Sequence, residues 1–395
     1  MTTTINNEHN KLNVPNLRFP EFQGEWEEYR IEDLTENISS GKCKSHSSNG
    51  EYNLYGSTGI IGKTDEACYE GNLVLVARVG ANAGFLQIIN EPCGITDNTL
   101  IIKPQKVGAQ YIYYYLQHFN LNRLIFGSGQ PLITGGMLKK VKVSLGNIQE
   151  QNKLTKLLSL LDERIATQNK IIEDLKKLKS AIIEKVFCSP NQKNPMCRIE
   201  GFEQALSTYK MSDFSSRIAT KNKDSKCSLV LTIAAQYGLV NQESFFNKSV
   251  ASENLTGYYL LHKGEFAYNR SYSAGYDWGA VKRLDNYDEG VLSTLYICFK
   301  INETIVDSDY LTYYFESTKW HRGLSDIAGE GARNHGLLNV SITDYFNTKH
   351  RFPVIEEQKA IAKMLNTITE KERKATLLGE CYQKQKQYLL RQMFI

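Results

Sequence analysis

The residues of this chain that are best suited to chemistry are polar, basic and aromatic side chains that stand near glycines in two corresponding stretches. Arg, Asn and Gln can pair bidentately with guanine and adenine edges, whereas Lys and Tyr suit contacts with phosphates. Glycine lets the backbone itself approach a ligand closely. We therefore predict a nucleic-acid-binding surface. Its candidate residues are Lys42, Lys44, Tyr52, Tyr55, Lys63, Arg78, Asn82 and Gln130 in the first stretch, and Asn269, Arg270, Tyr272, Tyr276, Trp278, Lys282, Arg283, Arg333 and Asn334 in the second.

Signatures of catalysis are missing from the sequence. It contains no phosphate loop of the GxxxxGK[ST] type, no GxGxxG after a predicted strand and no HExxH motif. It also lacks an Asn-Pro-Pro-aromatic motif for base methylation and a helicase box of the Asp-Glu-Ala-Asp kind. The eight cysteines form no CxxC pair and no cluster with histidine that would suggest zinc. We therefore predict that the chain alone is not an enzyme and holds no metal.

We predict that two long helices position these residues. Two matching stretches of the sequence show the apolar periodicity of a helix. Glu150-Gln151 recurs as Glu357-Gln358, and Phe187 recurs as Phe394 at the same offset. Between these ends, Leu and Ile follow steps of three and four, and neither stretch contains proline. Each predicted helix spans roughly 55 Å at about 1.5 Å per residue. Equal length and register predict that the two helices pair with each other.

Each helix is preceded by a segment that also repeats, more weakly. Arg18 has its counterpart in Arg198, and the aromatic run 111–116 returns as 310–315. Short apolar runs between glycines predict strands within each segment. The predicted fold is α+β, with two tandem domains, each followed by a long helix, and with the two helices paired with each other. The predicted boundaries are 1–16 for a flexible N-terminus, 17–146 for the first domain, 147–187 for the central helix, 188–197 for a linker, 198–353 for the second domain and 354–395 for the C-terminal helix.

The composition excludes several classes of protein. The chain has 395 residues, of which 41% are hydrophobic and 23% charged, and its net charge is +4. These values are ordinary for a globular protein and unlike those of a wholly disordered chain. The polar first ten residues do not resemble a signal peptide, and no apolar run reaches the roughly 18 residues of a membrane helix. With cysteines read as free thiols, we predict a cytoplasmic protein without a membrane partner.

Taken together, the repeat and its motifs resemble the DNA-specificity subunit of type I restriction-modification systems. The resemblance covers about residues 17–395 and includes the run Gly127-Ser128-Gly129-Gln130-Pro131 and the Phe352-Pro353 pair before the second helix. The sequence departs from the family pattern in two places. Leu145-Gly146-Asn147-Ile148 stands where a proline-rich lead-in is expected, and Ala332-Arg333-Asn334 stands where a Gln often follows the Gly-x-Gly.

The resemblance implies that the two helices pair as an antiparallel coiled coil of pseudo-twofold symmetry, and it implies a specific function. The two domains would be target-recognition domains, each recognising one half of a bipartite, asymmetric site in double-stranded DNA. The helices would set the spacer between the half-sites and dock two methyltransferase subunits, and two restriction-translocase subunits could join them. S-adenosylmethionine, ATP and Mg²⁺ would then be cofactors of the partners for DNA methylation and cleavage, with none in this chain. The predicted partner-binding residues are Gln151, Lys156, Phe187, Gln358, Lys363 and Phe394.

Two other functions are compatible with the residues. One is a DNA-binding regulator that acts without enzyme partners. The other is a coiled-coil adaptor whose domains bind proteins or glycans. Co-purification separates the three possibilities, because the first requires a methyltransferase in the complex, the second only DNA and the third neither.

Overall fold

A computed structural model of the chain describes residues 13–43, 47, 49–125, 130–247, 254–271, 275–327, 333–334, 337–338 and 340–395. The chain divides into two compact units. Unit 1 comprises residues 1–169 and 376–395, and unit 2 comprises residues 170–375. Each unit therefore contains a domain together with one half of each long helix.

Unit 1 is built on a four-stranded antiparallel sheet of order β2-β8-β5-β6. A second sheet has the order β4-β3-β7, in which β3 and β7 are parallel, and β1 pairs with β9. The elements of the first domain are β1 (Glu27–Arg30), α1 (Ile31–Leu34), β2 (Thr35–Ser40), β3 (Tyr52–Gly56), β4 (Gly59–Thr64), β5 (Leu73–Ala77), β6 (Leu86–Ile89), β7 (Cys93–Ile95), β8 (Thr99–Pro104), α2 (Ala109–Phe119), a 3-10 turn (Leu121–Leu124), α3 (Gly135–Lys139), β9 (Lys142–Leu145) and the long helix α4 (Ile148–Val186).

Unit 2 repeats this plan. Its four-stranded sheet has the order β11-β18-β15-β16, β10 pairs with β21, and two further pairs are β12-β13 and β14-β17. The elements of the second domain are β10 (Ser207–Lys210), α5 (Met211–Phe214), β11 (Ser215–Arg217), a 3-10 turn (Lys223–Ser225), β12 (Leu231–Ala234), β13 (Gly238–Asn241), α6 (Gln242–Phe246), β14 (Tyr259–His262), β15 (Phe266–Asn269), β16 (Ala280–Arg283), β17 (Glu289–Leu292), β18 (Ile297–Ile301), α7 (Ser308–Glu316), α8 (His321–Ser325), β19 (Arg333–Asn334), β20 (Leu337–Leu338), α9 (Ile342–Asn347), β21 (Lys349–Phe352) and the long helix α10 (Ile355–Met393).

The long helices run antiparallel within each unit, as the resemblance to specificity subunits implies. In unit 1, Leu154 near the start of α4 shares a core with Leu390 near the end of α10. One turn or two further in, Lys386 pairs with Asp162 at 2.6 Å. In unit 2, the end of α4 contributes Ile183 to the same core as Ile361 from the start of α10. The predicted α+β fold and the antiparallel pairing of the helices are confirmed at this level.

A buried ion pair joins each domain to the first turn of the long helix that follows it. In unit 1, Arg18 donates two hydrogen bonds to Glu150, at 2.7 and 2.8 Å. In unit 2, Arg198 binds both carboxylate oxygens of Glu357 in the same way. Both glutamates are almost fully buried. The repeated Glu-Gln motif therefore begins with an acid that fixes the preceding chain segment, because a buried carboxylate needs a cation beside it.

The side chains of the two repeated glutamines are also internal. Gln151 donates to the Gly146 carbonyl at 2.8 Å, and Gln358 donates to the Pro353 carbonyl at 2.9 Å. Both glutamines are buried. The prediction that their side chains bind a partner is thus corrected, because their amide groups close the loop that enters each helix.

The two repeated phenylalanines require the same correction. Phe187 and Phe394 follow the last residues of α4 and α10 and lie in the cores of units 2 and 1. Phe394 packs edge-on against Tyr111 at 5.4 Å, and Phe187 packs against Tyr310 at 5.0 Å. Each ring is buried in the core of one unit, which makes it unavailable to a partner. Lys156, on α4, is exposed, as is its counterpart Lys363 on α10, so both remain predicted contacts.

Candidate nucleic-acid interface

Two loops of unit 1 meet at one end of its four-stranded sheet. Loop A comprises residues 78–85 between β5 and β6, and loop B, described from residue 130, precedes α3. The Gly80 amide donates to the Pro131 carbonyl at 3.1 Å, and the Ile133 amide donates to the Arg78 carbonyl at 2.8 Å. The structure thus brings the predicted residues of the two loops together.

Arg78 also connects the loops to the turn between β7 and β8. Its amide donates to the Asn98 carbonyl at 3.0 Å, and its guanidinium lies 3.5 Å from the Asp97 carbonyl. The hydroxyl of Ser57, at the tip of the β3-β4 hairpin, donates to the same Asn98 carbonyl at 3.3 Å. Loop A, loop B, this turn and the hairpin tip therefore converge around one arginine.

Arg270 occupies the corresponding place in unit 2, directly after β15. Its carbonyl accepts from the Leu338 amide at 3.0 Å, as the Arg78 carbonyl accepts from loop B of unit 1. Its guanidinium donates to the carbonyls of Val340 and Leu295, each at 3.1 Å. Leu295 lies in the turn before β18, which corresponds to the turn before β8. The two units thus hold their loops in the same way, with the same residue type.

The charges of these two arginines are not neutralised within the described part of the chain. Neither Arg78 nor Arg270 forms an ion pair there, and the Nε atom of each is buried without a hydrogen-bond partner. A buried donor without a partner is costly, and structures generally satisfy it. An anionic ligand at this end of either domain would be stabilised by the guanidinium group of that domain.

Lys282 and Arg283 do not belong to this convergence of loops. Lys282 pairs with Glu316, whereas Arg283 pairs with Asp309 at 2.8 Å and with Asp285 at 2.6 Å. These contacts fasten β16 to α7 within unit 2. Carboxylates occupy the cationic groups of both side chains in this structure, and the contact of Lys282 and Arg283 with DNA stays a prediction.

The remaining predicted residues are distributed between the loops and the second sheet. On loops A and B of unit 1, Asn82 and Gln130 are exposed. In unit 2, Asn269 ends β15, and Tyr276 and Trp278 are half-buried beside it. Side chains available to a ligand at this end are therefore Asn and Gln in unit 1 and aromatic groups in unit 2.

In the second sheet of unit 1, Lys42 and Lys63 are exposed and Tyr52 is half-buried. The hydroxyl of Tyr55 donates to Glu91 at 2.7 Å, and burial together with this bond raises the pKa of Tyr55 to about 12. Lys44 and Tyr272 lie outside the described residues, as do the side chains of Arg333 and Asn334 on β19.

Sequence analysis missed a group of exposed apolar side chains on corresponding hairpins. In unit 1 they are Ile60 and Ile61 on β4, and in unit 2 they are Tyr237, Phe245 and Phe246 at and after the β12-β13 turn. A signal was present, because the paired isoleucines are enclosed by glycines and the paired phenylalanines by polar residues. Such short apolar pairs fit neither the alternation of a half-buried strand nor a helical stripe.

Neither a metal centre nor a membrane span is found within the described residues. No group of three or more His, Cys, Asp or Glu side chains among them could hold a metal ion. None of the helices in that part of the chain combines the length and the apolar character needed to cross a membrane.

Known proteins that are similar to this chain support the family resemblance indicated by its repeat. Residues 23–177 match the family model described as "Type I restriction modification DNA specificity domain". The predicted resemblance to type I specificity subunits is confirmed. The Type I restriction enzyme MjaVIII specificity subunit of Methanocaldococcus jannaschii is 31% identical over 198 residues, which is 46% of this chain and 45% of that protein. The matched region therefore spans less than half the length of this relative.

Solved structures resemble the chain over almost its whole length. The crystal structure of the type I restriction-modification S subunit from M. genitalium matches with a TM-score of 0.61 and 16% identity, covering 97% of this chain and 99% of that chain. A second structure, from a study of complex assembly and conformational transition of the type I system, matches with a TM-score of 0.52 and 11% identity over 94% and 97% of the two chains. At these identities the likeness shows the fold.

Proposed function

We propose that this chain is the DNA-recognition subunit of a type I restriction-modification complex and that each unit recognises one half of a bipartite, asymmetric site. The observation that carries the proposal is the repeat of one loop arrangement around Arg78 and Arg270, with different side chains beside it in each unit. A shared scaffold with different surroundings suits two half-sites that share a sugar-phosphate backbone but differ in bases.

Arg78 and Arg270 are assigned to phosphates in this proposal. The same residue type in both units suits the feature that is common to both half-sites, and the unneutralised guanidinium groups suit an anion. Two NH groups of Arg270 already bond main-chain carbonyls, so its guanidinium is held to the loops that every half-site must pass. Base recognition is assigned instead to side chains that differ between the units, among them Asn82 and Gln130.

The long helices would set the distance between the half-sites and dock two methyltransferase subunits, optionally with two restriction-translocase subunits. Large apolar side chains are exposed on both helices, namely Leu160, Ile171 and Leu178 on α4 and Leu377 and Leu378 on α10. Exposed apolar surface of this kind marks sites of protein contact. S-adenosylmethionine, ATP and Mg²⁺ are assigned to the partner subunits.

The decisive experiment maps N6-methyladenine in DNA from cells that express this chain with its partners. A bipartite motif with an unspecified spacer is expected. Exchanging roughly residues 35–125 for those of a relative should change one half of the motif and leave the other half unchanged. Loss of both halves on this exchange would refute independent recognition by the two units. A chain that binds DNA but never co-purifies with a methyltransferase would instead be a stand-alone regulator.

A further inference from the structure

Both units carry the same hairpin beside the candidate interface. In unit 1, β3 of the β3-β4 hairpin runs parallel to β7. In unit 2, Val230, just before β12, forms a parallel bridge with Val291 of β17, which places the β12-β13 hairpin in the corresponding position. The tip of the first hairpin is held by Gln87 of β6, which donates to the carbonyls of Gly56 and Ser57 at 3.0 and 3.2 Å. The first hairpin is thus fixed to its domain at the tip.

These hairpins expose large apolar side chains. Ile60 and Ile61 are 56% and 50% exposed in unit 1. In unit 2, Tyr237 is 69% exposed, and Phe245 and Phe246 on α6 are 45% and 46% exposed. The three rings form one group, with centroid distances of 6.4 Å between Tyr237 and Phe245 and 5.0 Å between the phenylalanines. Exposure of this much aromatic surface to water is unfavourable. A bound partner that covers the rings is therefore favoured.

The chemistry of the two hairpins differs although their place in the fold is shared. Two identical methyltransferase copies would present the same surface to each unit. Aliphatic groups in one unit and aromatic rings in the other instead suit a ligand that differs between the units. The two halves of an asymmetric DNA site are such a ligand.

The position of the first hairpin supports the same ligand. Ser57 at its tip and Arg78 of loop A bond the same carbonyl of Asn98, so the hairpin is continuous with the loops assigned to DNA. Apolar side chains contact thymine methyl groups in the major groove, and larger apolar groups can enter between base steps and unstack them.

We propose, on the basis of the proposed function, that the two hairpins are specificity determinants that contact bases. Ile60 and Ile61 contact thymine methyl groups in one half-site. Tyr237, Phe245 and Phe246 form an aromatic wedge that stacks against a base step in the other half-site and favours flexible pyrimidine-purine steps. The alternative occupant, a protein surface, is an outcome of the experiment below.

The test uses the assembled complex and the double variants Ile60→Ser/Ile61→Ser and Phe245→Ala/Phe246→Ala. Each should relax base preference in one half of the methylation motif only, lowering discrimination at one or two positions roughly tenfold to a hundredfold. The exposed Met196, which precedes the second domain, provides the control variant Met196→Ala, which should leave the motif unchanged. A 2-aminopurine probe at the affected step should brighten on binding of the wild type and not of the aromatic variant.

Three results would overturn the hairpin proposal. The first is an unchanged motif with both variants in an active complex. The second is loss of the methyltransferase from the complex, which would make the hairpins protein-docking sites. The third is relaxation of both half-sites by one variant. Thermal denaturation beside the wild type checks folding. The single variants Phe245→Ala and Phe246→Ala serve where the double variant is unstable, since each should still weaken the 2-aminopurine signal. If the wild-type complex itself gives no bipartite motif, the proposed function fails instead.

Discussion

Removing Arg198 should destabilise unit 2 more than any single substitution on its surface. Both oxygens of the Glu357 carboxylate bond this guanidinium, and the side chain of Glu357 is 2% exposed. Arg198→Ala would leave that charge buried without a cation. Breaking a buried ion pair in this way costs about 3–5 kcal/mol of unfolding free energy.

The corresponding substitution in unit 1 should cost less, which makes it a matched control. Glu150 also accepts a hydrogen bond from the Trp26 indole at 3.1 Å, and this bond would survive in Arg18→Ala. A hydrogen bond to a charged group contributes about 1.5–3 kcal/mol. We therefore expect Arg18→Ala to be milder than Arg198→Ala by about that amount. Removing the charge as well, in Arg198→Ala/Glu357→Gln, should restore at least half of the loss, because no ion then remains buried.

Hydrogen exchange measured by mass spectrometry is the suitable assay, since it gives the free energy of opening for each unit separately. Peptides from 198–353 should lose protection in Arg198→Ala, and peptides from 17–146 should lose it in Arg18→Ala. A loss below about 1 kcal/mol in Arg198→Ala, or a double variant as unstable as the single one, would refute the argument that the buried charge carries the cost.

Four further predictions follow from the structure. Burial lowers the pKa of His350 to about 3 from 6.5, so its contribution to stability is complete above pH 6.5 and falls as the pH drops towards 3. At pH 5 the free energy of unfolding measured by urea titration should be lower by about 2 kcal/mol. This loss should be absent from His350→Gln. Arg78→Ala and Arg270→Ala should each weaken binding to all DNA sequences alike and reduce the slope of log affinity against log salt by about one unit, and an unchanged slope in fluorescence anisotropy titrations would contradict a phosphate contact. Inserting four residues after Gln168 lengthens α4 by about 6 Å and should widen the spacer by one or two base pairs, so methylome sequencing that finds the same spacer in an active complex would remove the ruler role. The purified chain alone should neither methylate nor cut DNA, and activity in a preparation shown to contain this chain only would disprove that prediction.

The sequence predicts the long helices well because their signal is local and repeated. Apolar residues at steps of three and four, over many turns, leave few alternatives to an amphipathic helix. The pairing of the helices follows from two equal stretches with matching ends, whereas its antiparallel direction is implied by the resemblance and confirmed by Leu154 and Leu390 in one core. The apolar run 73–77 followed by Gly80 likewise predicts a strand and a loop, and Arg78 lies directly after β5. In the second domain, Tyr268 and Asn269 are expected in a loop but belong to β15.

Polar residues within those patterns could not be assigned from sequence, because their partners are distant along the chain. Glutamine usually lies exposed on a helix, yet the side-chain amide of Gln358 donates hydrogen bonds to the carbonyls of Pro353 and Ile305. Arg283 resembles a DNA contact until folding brings Asp309 beside it. A charge that stands alone in sequence becomes neutralised, or stays unneutralised as in Arg270, only when the fold selects its neighbours.

Unit 1 is made of two separate stretches of the chain, and this determines which unit is completed first during synthesis. Its core needs Leu390, Met393 and Phe394, whereas unit 2 consists of the contiguous residues 170–375. Once residue 375 has been added, every residue of unit 2 is present, whereas the part of α10 that covers the apolar surface of unit 1 has not yet been made. The domain that is synthesised first is therefore finished last. Any chain interrupted shortly after residue 375 would carry a closed second domain and an open first one, a product that cellular proteases can distinguish from the whole molecule.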